Sequence, residues 1–262
     1  MTVHIIFANR IIKILGNILK GFGYIFHYLF PNKRFILPKK SPPLINSKRT
    51  PLIPKKIWQT NYTDKVTLPI YLNYLFNRLM SLDCEYNFAD NDECLSIIQQ
   101  FGSQDIINAY QKLKDGAAKA DFWRLFVLDR FGGVYLDIDA HFVWPLSKII
   151  QPDDTELYLL NKEHYTNYFI ASKPDNEILQ KSIQIILDNI NQNYTKDSVY
   201  GLTGPGVLNS AIGEKKVKHR FYRLTCVQGD FTNEYFQYID KPKGKWTHTK
   251  KEDILYKEDE IK

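Results

Sequence analysis

The stretch that decides the fold reads FGGVYLDID and spans residues 131–139. Its two glycines are followed by a short apolar run, which predicts a buried strand from Val134 to Ile138. Residues 116–130 have the pattern of a helix, and helices often end at glycine. A helix that leads directly into a buried strand is typical of an α/β domain with a largely parallel sheet.

The predicted strand ends in two carboxylates, Asp137 and Asp139, two residues apart. Side chains at this spacing on a strand point to the same side, so we expect both to face one ligand at the carboxyl edge of the sheet. Two anions held this close need a cation, and oxygen ligands select a hard ion such as Mg²⁺ or Mn²⁺. The same spacing at Asp90 and Asp92 falls between a predicted strand and helix, where aspartate is an ordinary N-cap.

Short apolar runs and helix-period segments alternate along the rest of the chain. Further strands are predicted at residues 56–60, 85–89, 157–161, 168–171 and 221–227. Further helices are predicted at residues 69–82, 92–101 and 176–190. A folded domain over residues 55–262 follows from this pattern.

The composition suits a globular protein: 262 residues with 44% hydrophobic side chains can bury the core of one domain with an appendage. The net charge of +6 is local, because residues 1–63 contain eleven Lys or Arg and no acidic residue. This asymmetry counts against nucleic acid as a partner, since nucleic-acid enzymes carry basic patches on the folded body. The three cysteines form no C-x-x-C pair, which favours a reducing compartment.

Residues 1–30 form a predicted amphipathic helix, too interrupted by polar residues to span a bilayer. Its polar stripe consists of Asn9, Lys13, Asn17, Lys20, Tyr24 and His27. We expect this helix to lie on an anionic membrane surface, with a helix packed on the domain and a signal peptide as alternatives. Residues 31–54, rich in Pro and Lys, are predicted to be a linker that forms neither helix nor strand well.

Four ordered motifs together resemble glycosyltransferase family 32: IPKKIWQT at 53–60, ADFWR at 120–124, FGGVYLDID at 131–139 and LTGPG at 202–206. The resemblance implies a nucleotide-sugar-binding α/β fold of the GT-A type. It also implies retaining transfer of a hexose from UDP- or GDP-hexose to a glycan or lipid-linked glycan, with Mn²⁺ or Mg²⁺ as cofactor. The family includes enzymes of cell-surface polysaccharide synthesis.

The resemblance also implies roles for individual residues. Trp58 is expected to stack on the nucleotide base, with a core tryptophan as the alternative. Asp121 and Arg124 are expected to hold the donor sugar and its phosphate side, with a surface ion pair as the alternative. Asp137 is expected to bind ribose and sugar hydroxyls, and Asp139 the metal. Arg124, Asp137 and Asp139 form the expected catalytic set.

Further contacts follow with less detail. Tyr135 faces the same side as the aspartates and is expected to line the donor pocket. The glycine-rich turn at Gly204 lets backbone approach the donor closely, unless it only opens the next helix. Either Asn161 or Asn167 is expected to contact the sugar.

The C-terminal part departs from the family pattern, in which a His and a Ser-Trp pair close over the diphosphate. The sequence offers only GKWTH at 244–248. Here Trp246 or His248 is expected to act as lid or metal ligand and Lys245 to neutralise phosphate. An exposed tail is the alternative.

Two other functions compete with a transferase. Haloacid-dehalogenase-like phosphohydrolases also end an apolar strand in Asp-x-Asp, but they place it near the start of the domain. A catalytically inactive membrane scaffold would have lost the central site residues, which this chain retains. We expect a peripheral enzyme on the cytoplasmic face of a membrane, with the Golgi lumen as the alternative in a eukaryote.

Overall fold

The computed structural model describes residues 2–194, 196–242 and 244–256, without the side chains of Thr2 and Trp246. Its helices are α1 (Thr2–Leu29), α2 (Leu68–Met80), α3 (Asn91–Phe101), α4 (Gln104–Lys112), α5 (Gly116–Phe131), α6 (Leu146–Ile149), α7 (Glu177–Asn191), α8 (Ser198–Leu202), α9 (Pro205–Ile212) and α10 (Glu234–Gln237). Its strands are β1 (Phe35–Ile36), β2 (Lys40–Ser41), β3 (Lys56–Thr60), β4 (Lys65–Val66), β5 (Glu85–Ala89), β6 (Gly133–Leu136), β7 (Ala140–Phe142), β8 (Glu156–Asn161), β9 (His164–Ser172), β10 (His219–Phe221) and β11 (Cys226–Gln228).

The main sheet has the strand order β10-β8-β9-β6-β3-β5-β2 among the described residues. β3 runs parallel to β5 and β6, and β8 runs parallel to β10. β9 is antiparallel to β6 and β8, and β2 is antiparallel to β5 at the edge. All strands except β9 and β2 therefore point the same way. This mixed, mostly parallel sheet confirms the predicted α/β class.

Each face of the main sheet is covered by its own hydrophobic core. Ile57 and Val134 point into one core, while their neighbours Trp58 and Tyr135 point into the other. The alternation follows from the two-residue period of a strand. Helix α5 belongs to the second core and is buried on nearly all sides, which fixes its position against β6.

The connection from α5 to β6 depends on two glycines. Gly132 has φ 62° and Gly133 has φ 112°, a region of backbone conformation that favours glycine. A Cβ atom on Gly132 would lie 2.7 Å from Pro54, and one on Gly133 would lie 2.7 Å from the Lys56 carbonyl. The predicted glycine stop of the helix is confirmed. The pair also lets β6 start directly beside β3.

Residues 31–54, predicted to form neither helix nor strand well, contain two strands of two residues each. β2 pairs with β5 in the main sheet, and Leu37 and Ile53 are buried. The prolines of this segment lie outside both strands, so their missing N–H groups remove no ladder hydrogen bond. The predicted strand at 221–227 is divided into β10 and β11 by a 3₁₀ turn over Tyr222–Leu224.

Helix α1 packs against the body with Ile5, Ile12 and His27 buried, which is the packed-helix alternative, while Lys13 and Asn17 of the predicted polar stripe stay exposed. The Asn9 side chain donates to the Arg223 carbonyl at 2.9 Å, and Lys20 Nζ donates to the Gly229 carbonyl at 2.9 Å. The Leu68 amide donates to His27 Nε2 at 3.0 Å. Among the described residues, no helix is long and apolar enough to cross a membrane. The outward side of α1 carries most of its large apolar side chains.

The C-terminal part of the chain returns to the domain. β11 pairs antiparallel with β7, next to the carboxylate pair. Leu255 then forms a bridge with Leu113, and the Lys114 amide donates to the Ile254 carbonyl at 2.8 Å. The residues between β11 and this bridge thereby form a wall beside the start of α5.

Candidate active site

The two central aspartates lie in a turn and not on the strand. β6 ends at Leu136, two residues before its predicted end, and the Ala140 amide donates to the Asp137 carbonyl at 3.0 Å. The carboxylates nevertheless converge, as predicted. Gln228 Nε2 donates to Asp137 Oδ2 at 3.1 Å and to Asp139 Oδ1 at 3.0 Å.

Buried amide side chains hold this turn in place. Gln59 of β3 donates to the Asp137 carbonyl at 3.1 Å, and Asn73 of α2 donates to the Ile138 carbonyl at 2.9 Å. Both side chains are buried, and a buried carbonyl without such a partner costs free energy. Neither amide was predicted, because each becomes a partner only through the tertiary fold.

Arg124 connects the predicted polar residues at the floor of the site. Its Nη2 lies 3.0 Å from Asp121 Oδ1 and 3.1 Å from Asp137 Oδ1. Its guanidinium lies 4.5 Å from the centre of the Tyr135 ring, and the Tyr135 hydroxyl donates to Asp137 Oδ1 at 2.8 Å. Asp121 is 6% exposed and Arg124 is 4% exposed, so the alternative of a surface ion pair is wrong.

Neutral donors complete the surroundings of Asp121. Asn167 Nδ2 donates to Asp121 Oδ1 at 2.9 Å, and Thr203 Oγ1 donates to Asp121 Oδ2 at 3.3 Å. Of the two asparagines considered, Asn167 thus belongs to the network, whereas Asn161 lies at the exposed end of β8.

The electrostatic balance of this floor is negative. Burial raises the pKa of Asp121 to about 6, although the charge of Arg124 opposes the shift. Burial and the neighbouring Asp137 raise the pKa of Asp139 well above its ordinary value. Burial disfavours the charge of Arg124, but the carboxylates, Asp137 foremost, raise its pKa. One guanidinium thus serves three carboxylates, which leaves a place for a further cation.

The carboxylate pair fits a metal ion that is completed by substrate oxygens. Among the described residues there is no cluster of three or more His, Cys, Asp or Glu side chains. Asp137 Oδ2 and Asp139 Oδ1 share one donor atom, so both point at a common position. Mg²⁺ and similar ions are commonly held by one or two carboxylates together with phosphate oxygens and water. Asp137 and Asp139 have this donor set.

A cleft of about 320 Å³ opens above the carboxylate pair. Arg124, Tyr135, Asp137 and Asp139 contribute to its lining. The lining residues that sequence reasoning missed include Thr60, Tyr62, Lys119, Gln228, Tyr238 and Lys241. A signal existed for Thr60, which ends the IPKKIWQT motif, and for Lys119, which directly precedes the ADFWR motif.

The structure contradicts the prediction that Trp58 stacks on a nucleotide base. Trp58 is 8% exposed, packs against Trp123 and Phe131, and donates from Nε1 to the Gly132 carbonyl at 2.9 Å. The period of β3 directs this side chain into the core under α5, so the alternative of a core tryptophan is correct. The aromatic residue that follows β3 into the cleft is Tyr62.

The structure also contradicts the prediction that Gly204 contacts the donor. Gly204 is the N-cap of α9, with Pro205 in the first position of the helix. A Cβ atom there would lie 3.0 Å from the backbone of Tyr200, so the close approach is to α8 and not to the cleft. The alternative, a loop that opens the next helix, is correct. Its neighbour Thr203 reaches the site through Asp121.

The segment at 244–248 borders the cleft and is not a free tail. Gly244 and Lys245 line the cleft, and Lys245 Nζ lies 2.8 Å from Glu234 Oε2. His248 Nε2 lies 2.9 Å from Glu234 Oε1. Both side chains are therefore engaged by the carboxylate of Glu234, which also lines the cleft. The side chain of Trp246, expected as a lid, lies outside the described part of the structure.

Residues 69–156 match the model of a family described as a glycosyltransferase sugar-binding region containing the DXD motif. The chain is 31% identical to the initiation-specific alpha-1,6-mannosyltransferase of Candida albicans over 160 residues, which are 55% of this chain and 40% of the relative. It is 28% identical to the enzyme of the same name from Schizosaccharomyces pombe over 193 residues, 61% of this chain and 48% of the relative. The chain thus spans less than half the length of these curated relatives.

Among solved structures, the PaToxG glycosyltransferase has a TM-score of 0.50 to this chain at 17% identity. The similarity covers 81% of this chain and 79% of that chain. This likeness confirms a glycosyltransferase fold of the GT-A type. Residues 69–156 contain two pairs with the DXD spacing, Asp90/Asp92 and Asp137/Asp139, and the pair that lines the cleft is Asp137/Asp139.

Proposed function

We propose that this chain transfers a hexose from a nucleotide sugar, because residues 69–156 match the model of glycosyltransferase sugar-binding regions that contain the DXD motif. The observation that carries the proposal is the convergence of Asp137 and Asp139 on one position in the cleft. UDP- or GDP-hexose is the proposed donor. A glycan or lipid-linked glycan of cell-surface polysaccharide synthesis is the proposed acceptor. The family match does not favour a phosphohydrolase.

The contacts of Asp137 support a role in donor binding. Its Oδ1 is taken by Tyr135 and Arg124, while its Oδ2 faces Gln228 in the cleft. One oxygen is thus fixed by the protein and the other is directed towards a ligand. We assign donor hydroxyls and the metal to this second oxygen together with Asp139. Fixed polar groups of this kind lower the cost of reorganisation during transfer.

Arg124 is better described as a positioning residue than as a direct phosphate ligand. Beyond its two carboxylates, it donates from Nη1 to the Asn167 carbonyl at 2.7 Å and from Nε to the Ala120 carbonyl at 3.3 Å. Most of its N–H groups are therefore used within the protein. Its charge still stabilises the leaving diphosphate through the field in the cleft, while its contacts keep Asp137 in place.

Metal dependence is part of the proposal. Asp137 and Asp139 would hold Mn²⁺ or Mg²⁺ at the position that the Gln228 amide marks. The bound ion supplies neutralisation of the charge that develops on the diphosphate leaving group. Retention of anomeric configuration is also proposed, from the resemblance of the motifs. An NMR analysis of the product anomer tests it.

A screen of nucleotide sugars tests the transferase proposal. UDP- or GDP-hexose at about 100 times its Kd, with Mn²⁺, is expected to stabilise the protein by about 2.7 kcal/mol, an increase of a few degrees in melting temperature. The same donor without metal is expected to give a smaller shift. No shift with any donor and metal would contradict the proposal. Phosphate release from a simple phosphoester, lost in Asp137→Asn, would favour a phosphohydrolase instead.

We further propose that α1 attaches the enzyme to the surface of a membrane. The helix presents an outward row of side chains that are each at least half exposed: Val3, Phe7, Ile14, Ile18, Phe22, Ile25 and Leu29. An exposed apolar row of this length is typical of a membrane or protein contact. The basic residues Arg10 and Lys13 flank the row and are exposed, which favours anionic lipid.

An isolated amphipathic helix on a membrane turns its polar side to water, but α1 uses part of its polar side to contact the protein. Its polar stripe is used by the protein through Asn9, Lys20 and His27. The apolar side is then the side available to acyl chains. We place the enzyme on the cytoplasmic face, where anionic lipids concentrate, and keep the Golgi lumen as the alternative in a eukaryote.

Vesicle sedimentation tests the attachment. Wild-type protein is expected to sediment with vesicles that contain phosphatidylglycerol. The double substitution Ile14→Ser/Ile18→Ser is expected to weaken partition at least 10-fold, because each buried aliphatic side chain contributes about 1.5 kcal/mol or more. Ile36→Ser is the matched control, since Ile36 is 65% exposed but lies on β1. Equal binding by all three proteins would contradict the attachment.

A further inference from the structure

Two lysines face the cleft without an acidic partner. Lys119 lies in the first turns of α5, and Lys241 follows α10 on the opposite wall; both line the cleft together with the aspartate pair. Within the described residues, neither ammonium group forms an ion pair. Lys245, on the same wall, is paired with Glu234.

The surroundings of Lys119 disfavour its charged form when no anion is bound in the cleft. Burial and the charge of Lys241 lower the pKa of Lys119, and Asp92 offsets this only in part. Its Nζ lies 5.9 Å from the centres of the Tyr110 and Tyr256 rings, which hold the side chain at the cleft. Two like charges directed into one polar cleft favour an anion between them.

An aromatic pair lies directly beside Lys241. The rings of Tyr62 and Tyr238 are stacked, with centroids 6.4 Å apart and planes inclined by 11°. Lys241 Nζ lies 5.6 Å from the centre of the Tyr62 ring. A Cβ atom on Gly244 would lie 2.6 Å from Tyr238 Cδ1, so this glycine lets the chain pass close to the ring.

We propose that Lys119 and Lys241 bind the diphosphate of the donor and that the Tyr62–Tyr238 pair stacks on its base. The inference rests on the proposed function and names the subsite that the nucleoside diphosphate occupies. A flat base next to two phosphates is the chemistry that an aromatic pair next to two ammonium groups recognises. The sugar end of the donor then lies towards Asp137 and Asp139. Tyr62 takes the role that the sequence assigned to Trp58.

The test is the binding of UDP, GDP and pyrophosphate to the full chain in the presence of Mn²⁺, measured by calorimetry. Lys119→Gln and Lys241→Gln are each expected to weaken binding of the preferred nucleoside diphosphate by about 10-fold, the value of one charge-assisted hydrogen bond. Arginine at either position is expected to restore much of the affinity. Lys215→Gln is the matched control and is expected to change the affinity less than 2-fold, because Lys215 pairs with Glu177 on the surface and does not line the cleft.

The aromatic half is tested by Tyr62→Leu. This variant is expected to weaken the binding of UDP or GDP by about 10-fold and to leave the binding of pyrophosphate unchanged, since stacking acts on the base alone. The lysine variants are expected to weaken pyrophosphate as well. Binding of UDP or GDP that is unaffected by both lysine variants would overturn the subsite and leave the transferase proposal standing. Lysine-dependent binding of pyrophosphate without any binding of UDP or GDP would keep the anion site and reject the nucleotide-sugar function.

Discussion

The chain contains two aspartate pairs at the same spacing, and the structure uses them differently. Asp90 Oδ1 accepts hydrogen bonds from the backbone amides of Asp92 and Glu93, both at 3.1 Å. In return, the Asp90 amide donates to Glu93 Oε2 at 3.2 Å. This is a capping box, and it confirms the N-cap that was predicted at that junction. Asp137 and Asp139 instead share the side chain of Gln228, about ninety residues away.

The difference lies in the partners and not in the spacing. A cap is completed by amides within three residues, so any strand-to-helix junction can make one. The site pair is completed by side chains from β6, α5 and β11, which only the whole fold brings together. The site pair therefore concentrates negative charge in a cleft, whereas the capping pair stabilises the start of a helix.

The largest expected effect is the loss of transfer when the site pair is altered. Asp139→Asn is expected to lower the rate of donor cleavage about 10³-fold, because the metal and the charge stabilisation it provides contribute several kcal/mol. The assay is release of the nucleoside diphosphate at saturating Mn²⁺. Asp90→Asn is the matched control, since asparagine caps a helix as well as aspartate does. Equal losses of donor cleavage in both variants would contradict the assignment of one pair to the site and the other to the helix cap.

The second effect is a pH dependence of stability that Asp121 causes. Within the described structure, the capping pair has no buried carboxylate like Asp121 beside it. The pKa of Asp121 in the folded protein is about 6, above that of the unfolded chain, so the folded state binds the proton more tightly. The free energy of unfolding is therefore expected to fall by about 2–3 kcal/mol from this group as the pH rises from 4 to 6. Urea unfolding at several pH values measures it. Asp121→Asn should flatten this slope and Asp90→Asn should keep it; identical slopes in the two variants would contradict the assignment.

The smallest effect belongs to the cap. Asp90→Ala is expected to lower the free energy of unfolding by about 1 kcal/mol, because the amides at the start of α3 lose their acceptor. The activity per folded molecule is expected to stay at the wild-type level. Urea unfolding together with the transfer assay checks both parts. A loss of activity without a loss of stability would show that Asp90 acts in the site after all.

Much of the fold follows from local pattern. The predicted bounds of β3 and β5 agree with the structure, and α5 ends within one residue of its prediction. These segments are short apolar runs between charged or glycine residues, so their ends are marked in the sequence. The strand β2 was missed because its place in the sheet comes from pairing with β5 and not from its own residues.

The candidate site divides in the same way. Asp121, Arg124, Tyr135 and Asp137 were identified because they lie in two ordered motifs, one on a helix and one on a strand and the turn that follows it. Trp58 was misplaced because β3 is buried on both faces, so its sequence does not show which face meets the cleft. Gln228 and Lys241 were missed because no local pattern connects them to the motifs a hundred residues earlier.

The return of the chain over the start of α5 has a consequence for synthesis on the ribosome. A nascent chain whose first 225 residues have emerged from the ribosome already contains every described strand of the main sheet and both central aspartates. It still lacks Gln228, Tyr238 and Lys241, and the bridge between Leu113 and Leu255. The cleft is therefore the last part of the domain to be assembled, and the emerging polypeptide has no complete pocket until those late residues have docked.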